Sequence, residues 1–208
     1  LIKNVPHLDK SIVSVIPNCI DIESLRHKAN ESFCNAISND EIVSVGRLVK
    51  EKSFDVLLKA FSQVCIKNET ITLRIIGSGP EQVSLEQLCA HLNIRQRVIF
   101  EGFVANPIPF MRSALLCVVS SQIEGFPNTL LEMMAVGKRV VSTRCADGID
   151  ELPGILTCNP NDADDLAEAL LQSLSQNRAE VDNNAILMRE YINNNDVSNY
   201  YERIFRTC

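Results

Sequence analysis

The sequence predicts an α/β protein, a Rossmann-like three-layer α/β/α sandwich built on one parallel sheet. Three observations predict it. Apolar runs of strand length alternate with segments of helical period from end to end, the pattern of parallel strands joined by crossover helices. The clearest helical segment carries its apolar residues on one side, which suits it to cover a sheet. The glycines and charges that break the pattern follow strands, where a sheet of this kind leaves its ligand crevice.

In chain order, strands are expected at residues 11–16 and 41–45. A helix follows at 54–65, because Phe54, Leu57, Leu58, Phe61, Val64 and Cys65 recur at i, i+3, i+4, i+7 spacing. A strand is expected at 70–76, then a turn at Gly77-Ser78-Gly79, with Pro80 opening a helix, since proline suits the first helical position. Strands at 97–100, 115–120, 139–142 and 154–157 complete the sheet, with a helix at 129–136 between the middle pair. Asn159-Pro160-Asn161-Asp162 offers a cap for a helix running to about Ser175, and two helices near 178–193 and 197–206 finish the chain. The whole of 1–208 reads as one domain with residues 178–206 as a C-terminal extension, and no internal repeat or linker divides it.

Composition narrows the function. A chain of 208 residues with 46% hydrophobic content buries a sizeable core, and 26 acidic against 20 basic residues with no basic run argues against a nucleic-acid partner. None of the eight cysteines forms a C-x-x-C pair, and Cys65, Cys89 and Cys117 fall in apolar runs, so reduced structural thiols are expected. The longest apolar stretches are of strand length, which points to a cytoplasmic protein without a membrane span. Because residue 1 is Leu, the chain is expected to be a piece of a longer polypeptide.

The first candidate site follows the strand at 41–45, in Gly46-Arg47-Leu48-Val49-Lys50-Glu51-Lys52. Glycine lets backbone N–H groups approach an anion, and Arg47 and Lys52 can place cationic heads on phosphate oxygens. The segment reads either as a diphosphate cradle or as a plain strand-to-helix turn with solvated charges; it is no Walker loop. Gly77-Ser78-Gly79-Pro80 lacks the third glycine of a dinucleotide fingerprint and reads more readily as a tight turn. Phe100-Glu101-Gly102-Phe103-Val104 ends a strand where backbone groups could meet a flat nucleobase.

The most informative stretch is SSQIEGFPNTLLEMMAVG, residues 120–137, which sets Glu124 and Glu132 eight positions apart around a helix start. Gly125 and Pro127 interrupt any continuous helix, so the amides of Asn128, Thr129 and Leu130 are expected to open on the crevice and to suit a phosphate. Carboxylates repel phosphate, so functional glutamates here should instead accept hydrogen bonds from sugar hydroxyls. A diphosphate between a ribose and a hexose satisfies amides, cations and carboxylates together; that ligand is a nucleotide-sugar.

These residues carry a resemblance. Val15-Ile16-Pro17-Asn18-Cys19-Ile20-Asp21, Val45-Gly46-Arg47-Leu48 with Lys52, Gly77-Ser78-Gly79-Pro80-Glu81, Glu101-Gly102-Phe103-Val104, and Glu124-Gly125-Phe126 through Leu131-Glu132-Met133-Met134-Ala135 stand in the order found in family 4 retaining glycosyltransferases. The chain resembles the donor half of that family's GT-B fold over roughly residues 13–174, and the E-x7-E element is its most specific part. The resemblance implies that Glu132 binds ribose hydroxyls and that Glu124 lies by the donor sugar or its phosphate. It further implies that Arg47 and Lys52 hold the diphosphate and stabilise the leaving group, that Gly46 permits close approach, and that backbone at Phe103 and Val104 meets the base. Gly77, Phe126, Asn128, Thr129 and Leu130 complete the expected donor site.

By the same resemblance a hexose passes from a UDP- or GDP-sugar, with retention, to a glycan or lipid-linked acceptor. Neither metal nor cofactor is expected, the acceptor site belongs to an N-terminal domain absent from this chain, and peripheral association with the inner face of the membrane is expected of the longer protein. Three positions depart from the family: Cys19 and Ser53 stand where glycine is common, and Gly148-Ile149-Asp150-Glu151 replaces a Gly-Ile-Pro-Glu segment. Either the turn at Cys19 is remodelled or Cys19 accepts a left-handed conformation at some strain.

Other readings fit less well. A glycoside hydrolase could use two glutamates, but with no Trp and 5% aromatic residues its stacking platforms are scarce and the phosphate cradle is unexplained. An NAD-dependent dehydrogenase needs a complete glycine fingerprint at its first strand. A nucleotide-sugar epimerase of the same architecture would share the cradle, and a binding module without chemistry would capture a nucleotide alone. His7, His27 and His91 match no catalytic position.

Overall fold

A computed structural model describes residues 18–31, 40–197 and 199. Six parallel strands form one sheet: β1 (Glu41–Val45), β2 (Thr72–Ile76), β3 (Val98–Gly102), β4 (Leu116–Val119), β5 (Val140–Thr143) and β6 (Leu156–Cys158), in the spatial order β3-β2-β1-β4-β5-β6. The helices are α1 (Ile22–Ala29), α2 (Phe54–Lys67), α3 (Gln82–His91), α4 (Ile108–Ser113), α5 (Asn128–Val136), α6 (Ala163–Ser175) and α7 (Arg178–Asn194).

Side chains alternate across the sheet, and both faces are dry. Ile42, Leu73, Ile75, Leu116, Val118 and Val141 meet α2, α3 and α6 on one side, while Val43, Ile76, Cys117, Val119 and Val140 meet α1, α4, α5 and α7 on the other. The helix α2 buries Phe54, Leu57, Leu58, Phe61 and Val64, each stabilising the fold by about 1.5–3 kcal/mol on transfer from water. Asp162 caps α6 through the amides of Asp164 and Asp165, and Asn177 and Glu180 form a capping box at α7. The expected three-layer sandwich is therefore present. The buried Cys117 and Cys158 thiols are both pushed up to about 12 by burial, which leaves them packing groups rather than nucleophiles.

The expected strands differ from the observed ones by a residue or two at their ends, and Pro80 lies in a turn so that α3 begins at Gln82. The helix expected at 129–136 starts at Asn128. The expected strand at 11–16 and, but for its first residues, the expected helix at 197–206 lie outside the described residues. Two helices escaped the sequence reading. The first is α1, opened by Asp21 accepting from the amide of Ser24; the second is α4, only 6 residues long behind Pro107.

One charged group pierces the apolar layer. Arg74 of β2 makes a two-pronged ion pair with Glu41 of β1 (Nε to Oε2 2.8 Å, Nη2 to Oε1 3.0 Å) and a third bond with Glu101, which occupies the irregularity where β3 pairs with β2. Its guanidinium carbon lies 5.5 Å from the centroid of the Phe110 ring on α4. Burial opposes the charge, but the hydrogen bonds and charges of Glu41 and Glu101 outweigh it and hold the Arg74 pKa above its ordinary value.

Candidate functional site

The strand order reverses between β1 and β4, and a doubly wound sheet opens its crevice at such a point. Here the local cause is visible. The two strands pair only through Ile42 with Leu116 and Val43 with Cys117, and beyond that the Ser44 hydroxyl bridges to the Val118 carbonyl at 2.8 Å. A crevice follows, walled by Ser44 and Val45 from β1, Lys52 and Phe54 from the next turn, Ser120, Ser121 and Glu124 after β4, and Thr129 at the start of α5.

Beside it, β1, β2 and β3 end on a row of glycines. The Gly46 amide donates to the Ile76 carbonyl at 3.0 Å and the Gly77 amide to the Gly102 carbonyl at 2.7 Å. A Cβ on Gly77, whose φ is +140°, would lie 1.9 Å from the Gly46 carbonyl oxygen, so strand packing alone demands glycine there. Gly46 is different: a Cβ would make only ordinary contact with the Lys52 stem and Phe54, so packing leaves its glycine unexplained.

Lys52 projects from a single helical turn, Lys50–Lys52, whose carbonyl groups are tied to the loop after β4. The Ser120 hydroxyl donates to the Lys52 carbonyl at 2.8 Å, and the Gln122 amide to the Glu51 carbonyl at 2.8 Å. Across the crevice the Lys52 Nζ donates to Glu124 Oε1 at 2.6 Å, and the Glu124 amide donates to the Cys145 carbonyl at 2.8 Å. An ammonium has three N–H donors, so two remain for a ligand. Arg47, exposed beside Gly46, makes no ion pair with a described residue.

Ser53, directly after Lys52, holds φ 47° and ψ 44°, a left-handed conformation that swings the chain from the Lys52 turn into α2. That is the physical reason a glycine suits this position. Cys19, in contrast, is not left-handed: among described non-glycine residues positive φ occurs at Ser53, Asn93 and Asn161. In the segment 148–151, Asp150 pairs with Arg144 at 2.8 Å, an internal use for the residue that departs from the family pattern.

At α5 one expectation is corrected. The Leu130 amide is not open, because it donates to the Pro127 carbonyl at 2.9 Å, and the Leu130 side chain is fully buried in the core. Pro127, in extended backbone, precedes the helix start, leaving Asn128 and Thr129 as the residues whose amides donate to no described residue. The Asn128 side chain accepts from the Asn18 amide nitrogen at 3.1 Å. Phe126 turns partly into the core under α5 rather than outward, and Val104 packs on the same core.

Glu132 stands one turn further along α5, half-buried. Burial raises its carboxyl above the ordinary value, and the charge of Lys28 on α1 lowers it back only in part. Phe103, just past the glycine row at the end of β3, is 79% exposed. The structure thus gathers Lys52, Glu124 and Thr129 around one crevice, with Gly46 against the Lys52 stem, Gly77 against Gly46 and Arg47 exposed next in the chain, and sets Glu132 along α5 and Phe103 just after β3. Sequence reading missed Ser120 and Ser121, which only the pairing of the two loops brings into play. Among the described residues no group of three His, Cys, Asp or Glu could hold a metal ion, and no helix is long and apolar enough to cross a membrane. A groove of about 780 Å³ between α2 and α6 is lined by none of the candidate site residues.

Residues 39–176 match the family model of glycosyl transferases group 1. The N-acetylgalactosamine-N,N'-diacetylbacillosaminyl-diphospho-undecaprenol 4-alpha-N-acetylgalactosaminyltransferase of Campylobacter jejuni is 34% identical over 140 residues, 67% of this chain and 37% of the relative. An uncharacterized glycosyltransferase of Methanocaldococcus jannaschii is 30% identical over 148 residues, 69% of this chain and 36% of the relative. The chain therefore spans little more than a third of the length of these relatives. The crystal structure of Anabaena Alr3699/HepE in complex with UDP superposes with a TM-score of 0.78 over 93% of this chain and 56% of that one, at 22% identity, a likeness of fold.

Proposed function

The chain belongs to the glycosyl transferases group 1 family, and from that premise we propose that it is the donor-binding half of a retaining hexosyltransferase that uses a nucleotide-sugar. One observation carries the reading: a lysine, a glutamate and the free amides of a helix start converge on one crevice at the reversal point of the sheet. Cations and amides suit a diphosphate, and the carboxylate suits neutral hydroxyls.

In this reading the diphosphate lies on the Asn128 and Thr129 amides, with Lys52 and Arg47 on its oxygens. As the glycosidic bond breaks, charge grows on the departing diphosphate, and fixed cations stabilise that charge more than the ground state. Glu124 takes a hydroxyl of the hexose through the oxygen that Lys52 leaves free, and Glu132 takes the ribose hydroxyls. The base lies at the end of β3, against backbone at Phe103 and Val104. Gly46 gives the diphosphate its closest approach to the backbone, which accounts for a glycine that packing leaves unexplained. The reading assigns no metal or cofactor.

The acceptor, a glycan or a lipid-linked glycan at the cytoplasmic face of a membrane, belongs to the rest of the protein. That the Campylobacter jejuni relative acts on an undecaprenol diphosphate-linked substrate supports this class of acceptor. Calorimetry with UDP, GDP and their sugars tests the proposal: binding of one nucleotide series at micromolar to millimolar affinity is expected, and no binding of any of them overturns it.

A further inference from the structure

Resting on the donor-site reading, we infer that Ser121 is a positioning residue that fixes which oxygen of Glu124 meets the donor sugar. Ser121 is 2% exposed, and its hydroxyl donates to Glu124 Oε1 at 2.5 Å, the same oxygen that receives the Lys52 Nζ at 2.6 Å. Two donors on one carboxylate oxygen consume its lone pairs. Oε2 takes no bond from a described residue and is the acceptor left for a ligand.

Ser121 is itself held. Its carbonyl accepts from the buried Thr143 hydroxyl of β5 at 2.6 Å, and the next residue, Gln122, is tied by its amide to the Lys52 turn. The Glu124 backbone is anchored separately at Cys145. A carboxylate paired only with a flexible ammonium can swing about its side-chain torsions; a second, rigid donor on the same oxygen removes that freedom. Ser121 therefore acts on the sugar end of the ligand, and Lys52 acts on the diphosphate end.

The consequence is a split between two affinities. Without the Ser121 hydroxyl, Glu124 keeps its charge and its lysine but loses its fixed orientation, so a free nucleoside diphosphate should bind as before while the sugar's added contribution shrinks. Calorimetry on the full protein, with UDP, UDP-glucose, UDP-N-acetylglucosamine, GDP and GDP-mannose as probes, reads both. Ser121→Ala is expected to lower the affinity of the preferred nucleotide-sugar by about five- to tenfold, a part of the contribution of the sugar's charge-assisted hydrogen bond to Glu124, with the nucleoside diphosphate changed by less than about twofold. Ser121→Thr, which keeps a hydroxyl, is expected to restore most of the loss. Thr143→Val, one step removed, is expected to give the same selective loss in weaker form and serves if Ser121→Ala does not fold. An equal loss for diphosphate and sugar conjugate, or no loss in either, overturns the inference while leaving the donor site intact. A wild-type protein that binds none of the probes removes the donor site and the inference together.

Discussion

Lys52 and Glu124 meet at 2.6 Å across the crevice, with the lysine side chain 21% and the glutamate 17% exposed. The pair joins two loops that are 72 residues apart in the chain, and it sets a competition. A diphosphate arriving at the crevice must share the ammonium with a carboxylate of its own sign.

Neutralising Glu124 should therefore separate the two halves of the ligand. Glu124→Gln is expected to strengthen binding of the nucleoside diphosphate alone, by up to about tenfold, and to abolish most of the additional affinity for the sugar conjugate. Lys52→Ala is expected to weaken both by tenfold or more, since a charge-assisted hydrogen bond contributes about 1.5–3 kcal/mol. Titration calorimetry on the two variants checks this; a Glu124→Gln protein that binds the diphosphate less tightly would remove the competition.

In the proposed reading, Glu132 should give the site a pH dependence of defined sign. The ionised carboxylate is the better acceptor for ribose hydroxyls, so affinity is complete above the Glu132 pKa and falls as pH drops through it. Burial raises that pKa, so the fall should begin at higher pH than for an ordinary glutamate. Stability moves the other way: a carboxyl raised by burial costs stability while ionised, and that cost is relieved on acidification. Nucleotide affinity measured from pH 7 downward should decline in wild type and be flatter in Glu132→Gln. Equal profiles would take Glu132 out of the site.

Ser53 tests the cost of a departure from glycine. Its left-handed backbone carries a penalty of about 1 kcal/mol, and its hydroxyl returns only a long bond of 3.4 Å to the Lys50 carbonyl. Glycine relieves the strain but adds freedom to the unfolded chain, so Ser53→Gly is expected to stabilise by about 0.5 kcal/mol net. The readout is the urea midpoint at unchanged slope.

Much of this was legible in the sequence, for reasons that stop at a clear boundary. Ile42, Leu73 and Val118 sit in runs whose period fixes their strands, and Asp162 announces its helix by local chemistry, so the layers could be read from neighbours alone. Glu124 and Glu132 could be found because their spacing around Pro127 is local too. What eluded reading depends on conformation or on distant partners: Ser121 reaches Glu124 in a loop whose shape is set by anchors at Thr143 and Cys145, the Leu130 amide is taken by Pro127 within a helix start, and Arg74 pairs with Glu41 on a strand 33 residues away. A charged residue inside a strand offers no sign of which neighbour will neutralise it.

The Arg74 cluster yields the last prediction. Arg74 is 7% and Glu41 1% exposed, and the Glu41 carboxylate is bound by both prongs of the guanidinium. Arg74→Met removes the cation but leaves Glu41 ionised in a dry layer, and breaking a buried pair from one side typically costs about 3–5 kcal/mol. Replacing Glu41 as well, as Arg74→Met with Glu41→Leu, takes away the more deeply buried charge and leaves Glu101, whose side chain is 17% exposed at the end of β3. The double variant should therefore recover most of the loss seen in the single one. Because the cluster ties β1, β2 and β3 together below their row of terminal glycines, the single variant should also lose nucleotide binding at temperatures where the double variant retains it. Urea unfolding of the three proteins decides the matter: a double variant no more stable than Arg74→Met would mean that the cluster acts by packing against Phe110 rather than by satisfying Glu41.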